Sequence, residues 1–311
     1  MIAYFLLVHR FPEQFKRMFQ AIHAPGNIYL VHIDKNSGAA LAQDIAAFLA
    51  PYEGVEILPA RTVLWGGYSL VEAELRGMKR LLEMDAGWTH FINLSGQDFP
   101  LKSQGFIRDF LSAHPDTQFM RCADQRAIRP DTMNRVDHVF IEAFRHMFRT
   151  GIARAFPRGA TPFIGTQWKV VTRSFCEFSC HHPLATRFKR FYKRSFIADE
   201  GFFQTLVMNG FPQGHVVDDD LRTIDWVPDG DIKLRPRTFT KRDATWLTLS
   251  PDLFARKFDM AEDSEIFDLL ESHLASPAAS NFKPSIDRSI TDRAPTLPGA
   301  THGLGSPVPA G

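Results

Sequence analysis

Ile28-Tyr29-Leu30-Val31-His32-Ile33-Asp34-Lys35-Asn36-Ser37 is the stretch whose reading decides the fold. A nearly unbroken apolar run that stops at four polar residues reads as a strand buried on both faces and ending in a loop. Outward from it, Ile2–Val8 is a second run of the same kind, and Pro12–Ile22 between them reads as a helix. Downstream, Ala40–Leu49 reads as a helix, Val55–Leu58 as a strand, Ser69–Leu82 as a long helix and His90–Leu94 as a strand. Strands alternating with helices imply an α/β fold, a mostly parallel sheet flanked by helices. Ligands of such sheets sit beyond the carboxyl ends of the strands. The polar clusters Asp34–Ser37 and Ser95-Gly96-Gln97-Asp98 fall at such ends.

The chain has 311 residues, 44% hydrophobic and 23% charged, enough to bury a core without disulfide staples. Its net charge of +1 argues for no wholesale binding to nucleic acid or an anionic membrane, and no nucleic-acid partner is expected. Three cysteines, Cys122, Cys176 and Cys180, make no disulfide framework and suit a reducing compartment. Cys176 and Cys180 with His181 and His182 match no closed zinc spacing, so idle thiols are the expectation. The opening apolar run is too short to span a bilayer, and no transmembrane segment is expected. The cytoplasm is the expected compartment, with peripheral attachment at the inner membrane face compatible with it.

Residues 120–165 are rich in Arg, Phe and Met and read as an irregular insertion. A short strand, Trp168–Val171, and two helices follow. Residues 278–311 hold few apolar groups and read as a disordered tail.

Five segments can carry chemistry. In Ala198-Asp199-Glu200-Gly201-Phe202-Phe203, Asp199 reads as an N-cap with Glu200 in the first turn, beside an apolar face. There Glu200 is either a general base or ordinary capping chemistry. In Ser250-Pro251-Asp252-Leu253-Phe254-Ala255-Arg256-Lys257, Ser-Pro reads as a helix start, and helical spacing turns Lys257 inward. Arg256 and Lys257 grip a diphosphate or form structural ion pairs. Asp218-Asp219-Asp220 satisfies an Asp-x-Asp metal pattern, but an acidic turn is the simpler reading. Trp226 stacks on a sugar or belongs to the core, and Gly66-Gly67 serves a ligand or only a turn.

Taken in order, several stretches make the chain resemble the core-2/I-branching β-1,6-N-acetylglucosaminyltransferase family, which includes the peptide O-xylosyltransferases. They are His32–Lys35, Trp65–Leu70, Phe91–Pro100, Gly165–Trp168, Asp199–Phe203, Leu221–Trp226 and Phe254–Phe258. The resemblance implies a GT-A-type fold with a Rossmann-like nucleotide-binding half and a UDP-sugar donor. It implies inversion at the anomeric carbon without a metal or other cofactor. It casts Glu200 as catalytic base, and Arg256 and Lys257, with an arginine at 235 or 237, as the diphosphate grip; Arg237 is taken for that place. Asp34 would contact the nucleotide, and Trp226, Gln167 and Trp168 the acceptor. Gln167 stands where the xylosyltransferases show an acidic residue, a departure that bears on a peptide acceptor.

Residues 1–277 therefore read as one glycosyltransferase domain, with a nucleotide-sugar half over 1–100 and an acceptor and catalytic half over 101–277. The expected activity moves GlcNAc or xylose from a UDP-sugar to a hydroxyl of a glycan, polysaccharide or peptide. The competing expectation is a non-catalytic binder of glycans or nucleotide sugars. An oxidoreductase is disfavoured because no Gly-x-Gly-x-x-Gly follows the first strand.

Overall fold

Ile2–Val8 (β1) is buried at every position, as a strand inside a covered parallel sheet must be. The computed structural model describes residues 1–229, 233–287 and 289–290. The chain divides into two compact units. Of the described residues, the first is built from Met1–Arg61, Gly87–Pro115 and those from Asp219 to Asp287, the second from Thr62–Ala86, Asp116–Asp218 and Ser289 with Ile290. The expected halves met at residue 100; the first unit instead also draws in chain from beyond residue 218.

In the first unit, Pro12–Ile22 (α1) leads to Ile28–Ile33 (β2), then Ala39–Leu49 (α2), Val55–Leu58 (β3) and later His90–Ser95 (β4). The four strands are parallel, in the order β4-β1-β2-β3. The chain steps outward from β1 to β3, then returns to the other side of β1. That reversal makes the carboxyl ends of β1 and β4 the switch point of the sheet, the place where such sheets hold ligands. α1 buries Phe15, Met18, Phe19 and Ile22, a stripe at helical spacing, and Phe19 meets Tyr29 of β2 edge to face at 5.2 Å.

A second, small sheet in this unit joins Arg222–Ile224, Phe254–Arg256 and Asp98–Pro100. It overturns the helix expected from Ser250. Phe254, Ala255 and Arg256 instead lie antiparallel to Pro100, Phe99 and Asp98. Ser250 caps only a turn, its Oγ accepting from the amide of Asp252 at 3.1 Å, while its carbonyl accepts from buried Lys102 at 2.7 Å. Ser-Pro signals a chain reversal as readily as a helix start, and ladder bonds to a distant strand chose the reversal.

The second unit contains Thr117–Met120, parallel to His215–Val217 and antiparallel to Lys169–Thr172. Its helix Phe202–Gly210 is buried at every residue. The polar members of that helix find partners inside: Asn209 exchanges hydrogen bonds with the backbone of Thr161, and Thr205 accepts from the amide of Phe163. The stretch expected to be irregular holds an antiparallel hairpin, His138–Ala143 with His146–Ala153. Its alternation was masked because apolar side chains occur on both of its faces.

The expected tail begins in order: Pro277–Ser280 forms a 3-10 turn with Ala279 buried, and Ser289 bridges to Val217. Residues 291–311 of that expectation lie outside the described residues. Among the described residues no helix is long and apolar enough to cross a membrane.

Candidate active site

Each unit holds a group of side chains with chemistry of its own: cations that can hold an anion in the first, a carboxylate that can take a proton in the second. In the first unit the loops after β1, β2 and β4 converge on a cation cluster. His9 and Arg10 follow β1 directly, and Arg10 donates to Oε1 of Gln97 in the loop after β4 at 2.8 Å. Asp34 follows β2; its amide bonds the carbonyl of Val8, and its carboxylate caps the 3-10 turn at Asn36 at 2.9 Å. Ser37 donates to the carbonyl of His9 at 2.9 Å, tying the two loops together.

Buried Gln14 on α1 fastens the segment that carries Lys257. It donates to the carbonyls of Gly96 (2.7 Å) and Phe258 (3.1 Å) and accepts from the amide of Met260 (2.9 Å). Phe258 also bonds the carbonyl of Gln97 through its amide. Arg256 stands across the small sheet from fully buried Asp98, at 3.5 Å, and Arg222 approaches the same carboxylate at 3.8 Å. Among the described residues no carboxylate makes an ion pair with Lys257. Burial lowers its pKa, and Arg10 and Arg256 lower it further, with Asp259 the opposing influence. Burial likewise lowers the pKa of His9, helped by Arg10 and opposed by Asp34. Like charges held together in this way favour an anionic ligand.

The structure treats the two arginines at 235 and 237 differently. Arg237 is taken up by Asp243, through two bonds of 2.9 Å, and by Asp225 at 2.7 Å. Arg235 is more than half exposed, 3.9 Å from Asp229, and its charge is felt at Lys257. Trp226 opens the strand Trp226–Asp229 and is 43% exposed, so it is not a core residue. The aspartates at 218 and 219 serve turns: Asp218 accepts from the amide of Cys122 at 2.8 Å, and Asp219 from that of Leu221 at 2.9 Å.

In the second unit Glu200 closes a 3-10 turn, Ala198–Glu200, that precedes the buried helix. This corrects the expected capping: Gly201, not Asp199, is the N-cap. The turn is entered through Ile197, whose φ of 49° is unfavourable for a β-branched side chain. Its amide bonds the carbonyl of Gly66 at 2.8 Å, which holds it there. A Cβ on Gly66 would lie 2.7 Å from the Phe196 ring, and one on Gly67 2.6 Å from the Glu142 carboxylate. These glycines therefore make room for neighbouring side chains. Arg135 donates to Oε2 of Glu200 at 2.7 Å, and no donor among the described residues reaches Oε1.

Asp199 points the other way, into the interior. Its carboxyl is pushed up to about 7 by burial first and the charge of Glu200 second. Nearby, Lys169 and Glu74 form an ion pair of 2.5 Å with both side chains fully buried. Gln167 lies 3.5 Å from the same glutamate, and Trp168 is buried. The segment bearing them is tied to the turn, since Gly165 donates to the carbonyl of Glu200 at 2.8 Å.

Within units, then, Asp34, Arg256 and Lys257 share one cluster, and Glu200, Gln167 and Trp168 share the other. Sequence reasoning missed His9, Arg10 and Arg135, and took Asp199 for a helix cap. The first two carry a legible signal, a polar pair at the carboxyl end of an apolar strand. Nothing along the chain points to Arg135.

An α/β fold with cations at the switch point of a parallel sheet sets the broad class. Comparison narrows it: residues 2–254 match the family described as Core-2/I-Branching enzyme, and the chain belongs to that family. The family suggested by the ordered motifs is thus the family found. The chain is similar to xylosyltransferase 2 of Mus musculus, 33% identical over 292 residues, covering 88% of this chain and 33% of the relative. It is similar to xylosyltransferase 1 of Rattus norvegicus, 32% identical over 294 residues, covering 88% and 35%. The chain therefore spans about a third of the length of these relatives. Among solved structures, that of HddC from Yersinia pseudotuberculosis aligns with a TM-score of 0.31 and 12% identity over 58% of this chain and 81% of that one, too loosely to carry an argument.

Proposed function

We propose that the protein is a glycosyltransferase that moves GlcNAc or xylose from a UDP-sugar to a hydroxyl of a glycan, polysaccharide or peptide, in one inverting displacement without a metal. Its cation cluster carries the reading. Lys257 is half-buried near Arg10, Arg256 and Arg235 with no carboxylate in an ion pair with it among the described residues, so it offers a charge to an arriving anion. A diphosphate is such an anion, and its negative charge grows as the sugar leaves. Fixed cations would stabilise that charge in the transition state.

Glu200 would accept the proton of the attacking hydroxyl at Oε1, the oxygen that Arg135 leaves open. The acceptor oxygen bonds to the anomeric carbon as the bond to UDP breaks on the opposite face, so configuration inverts. Asp34 would meet the nucleotide, and Trp226, Gln167 and Trp168 the acceptor. Exposure of Trp226 supports its part; the carboxylates around Arg237 favour Arg235 as the third phosphate ligand. A reducing cytoplasm suits three thiols that form no bridge.

The test is turnover of UDP-GlcNAc and UDP-xylose with a crude glycan acceptor, with and without EDTA, and assignment of the product anomer. The proposal expects a β-linked product at a rate EDTA does not change. An α-linked product or strict dependence on Mn overturns the mechanism. Donor binding without turnover makes the chain a binding protein.

A further inference from the structure

Two features of the second unit play no part in sugar transfer as proposed above. The hairpin His138–Ala143 and His146–Ala153 turns on Phe144 and Arg145, both in the left-handed region. Phe144 is 90% exposed at that tip. Ile141 and Phe148 are cross-strand partners and about half exposed, and Ile152, beyond the irregular register at Gly151, is exposed as well. The hairpin is anchored from its other face, where Phe140 stacks on Phe196 at 5.2 Å. Four large apolar side chains left to water on one short hairpin mark a contact surface.

Beside it lies a cleft of about 830 Å³ whose lining includes Val139 of the hairpin with Arg154, His181, Arg187, Arg190 and Arg194. No acidic residue lines it. Arg154 is a wall of the cleft, already bonded to the carbonyls of Val136 and Phe191 and to Ser195. Arg187 and Arg190 stand three apart on the helix Pro183–Tyr192, Arg194 follows just past its end, and all three are exposed and line the cleft. Arg190 also lines a neighbouring cleft with Lys79, Lys189 and Lys193, where Glu72 is the acidic residue among the basic ones.

We propose that this face docks on an anionic phospholipid surface. Phe144 and Phe148 enter the headgroup boundary, and Arg187, Arg190 and Arg194 take lipid phosphates. The pairing of apolar tip and basic cleft selects this partner. A hydrated polysaccharide polyanion would satisfy the arginines but leave the aromatic tip in water. The inference stands on these residues alone and does not need the transferase reading.

The experiment is co-sedimentation of the full chain with vesicles of phosphatidylcholine and phosphatidylglycerol in equal parts, against phosphatidylcholine alone. Binding to the anionic vesicles only, weakening with added salt, is expected. Replacing Arg187, Arg190 and Arg194 together by Gln lowers partition by about a hundredfold, and Phe144→Ser with Phe148→Ser lowers it by about tenfold. These side chains are exposed, so the melting curves of both variants should match wild type. Emission of a Phe144→Trp variant shifts to the blue with the anionic vesicles and not with dextran sulfate. Equal binding to both vesicle types, variants that partition like wild type, or dextran sulfate binding that survives the phenylalanine changes while vesicles fail to bind, overturns the proposal.

Discussion

Arg135 donates from Nη1 to Oε2 of Glu200 across 2.7 Å, with the two side chains only 20% and 30% exposed. The bond fixes one carboxylate oxygen and leaves the other available, as a general base that must meet an incoming hydroxyl requires. Glu200→Gln keeps the shape and removes the basicity. It is expected to lower kcat by about 100–10,000-fold while UDP affinity, read by calorimetry, stays near wild type. Arg135→Met should lower kcat by a smaller factor with little change in UDP affinity. Wild-type turnover by Glu200→Gln would remove Glu200 from the base role.

Lys257 should make donor binding pH-dependent. Its pKa is lowered, by burial and then by Arg10 and Arg256, so it loses its proton below the usual lysine range. UDP affinity should therefore fall as pH rises through that lowered value. A bound diphosphate restores the charge, so binding in that range takes up protons, visible as a heat that depends on the buffer. Lys257→Met should weaken UDP binding by roughly 100-fold and abolish the proton uptake. Uptake unchanged in the variant would assign the titration elsewhere.

Asp199 predicts the pH dependence of stability. Its native carboxyl is raised from 3.8 to about 7, so between those values the folded chain keeps a proton that the unfolded chain has released. The associated stability is fully present below the lower value and is lost as pH rises toward the upper one, by up to about 4 kcal/mol. Urea unfolding of wild type and Asp199→Asn across about pH 4 to pH 8 reads it directly. The variant should show a flatter profile; parallel profiles would show that Asp199 does not titrate in this range.

Glu74 and Lys169 test how the interior beneath Glu200 is held. Both are fully buried, and Lys169 also donates to the carbonyl of Gln167 at 2.6 Å and sits 4.3 Å over the ring of Phe203. Lys169→Met leaves a buried carboxylate without its cation and should cost about 3–5 kcal/mol by chemical denaturation. Replacing both residues by Met should recover much of that loss. A single variant as stable as wild type would mean that the pair contributes little.

Much of the first unit was legible along the chain. Ile2–Val8, Pro12–Ile22, Ile28–Ile33 and Val55–Leu58 form the elements their apolar patterns predict. A buried parallel strand is apolar along most of its length, and a half-buried helix repeats its apolar residues at helical spacing, so local pattern and element agree. The pattern failed at Phe254–Arg256, where a plausible helix start gives way to ladder bonds with Asp98–Pro100, more than 150 residues earlier. It failed again at Asp199, which reads as a cap but lies 6% exposed in a turn of its own.

By itself the sequence determined the order of the first strands and helices, the family, and the residue types available for proton transfer and phosphate binding. Only tertiary structure decided which of those residues share a site. It set Arg10 beside Gln97, met Glu200 with Arg135, and enclosed Arg237 between Asp225 and Asp243. Element type follows from spacings of a few residues, which a chain displays openly. Partner choice follows from Coulomb and hydrogen-bond energies between groups brought within 3 Å by folding, and spacing along the chain does not encode that distance.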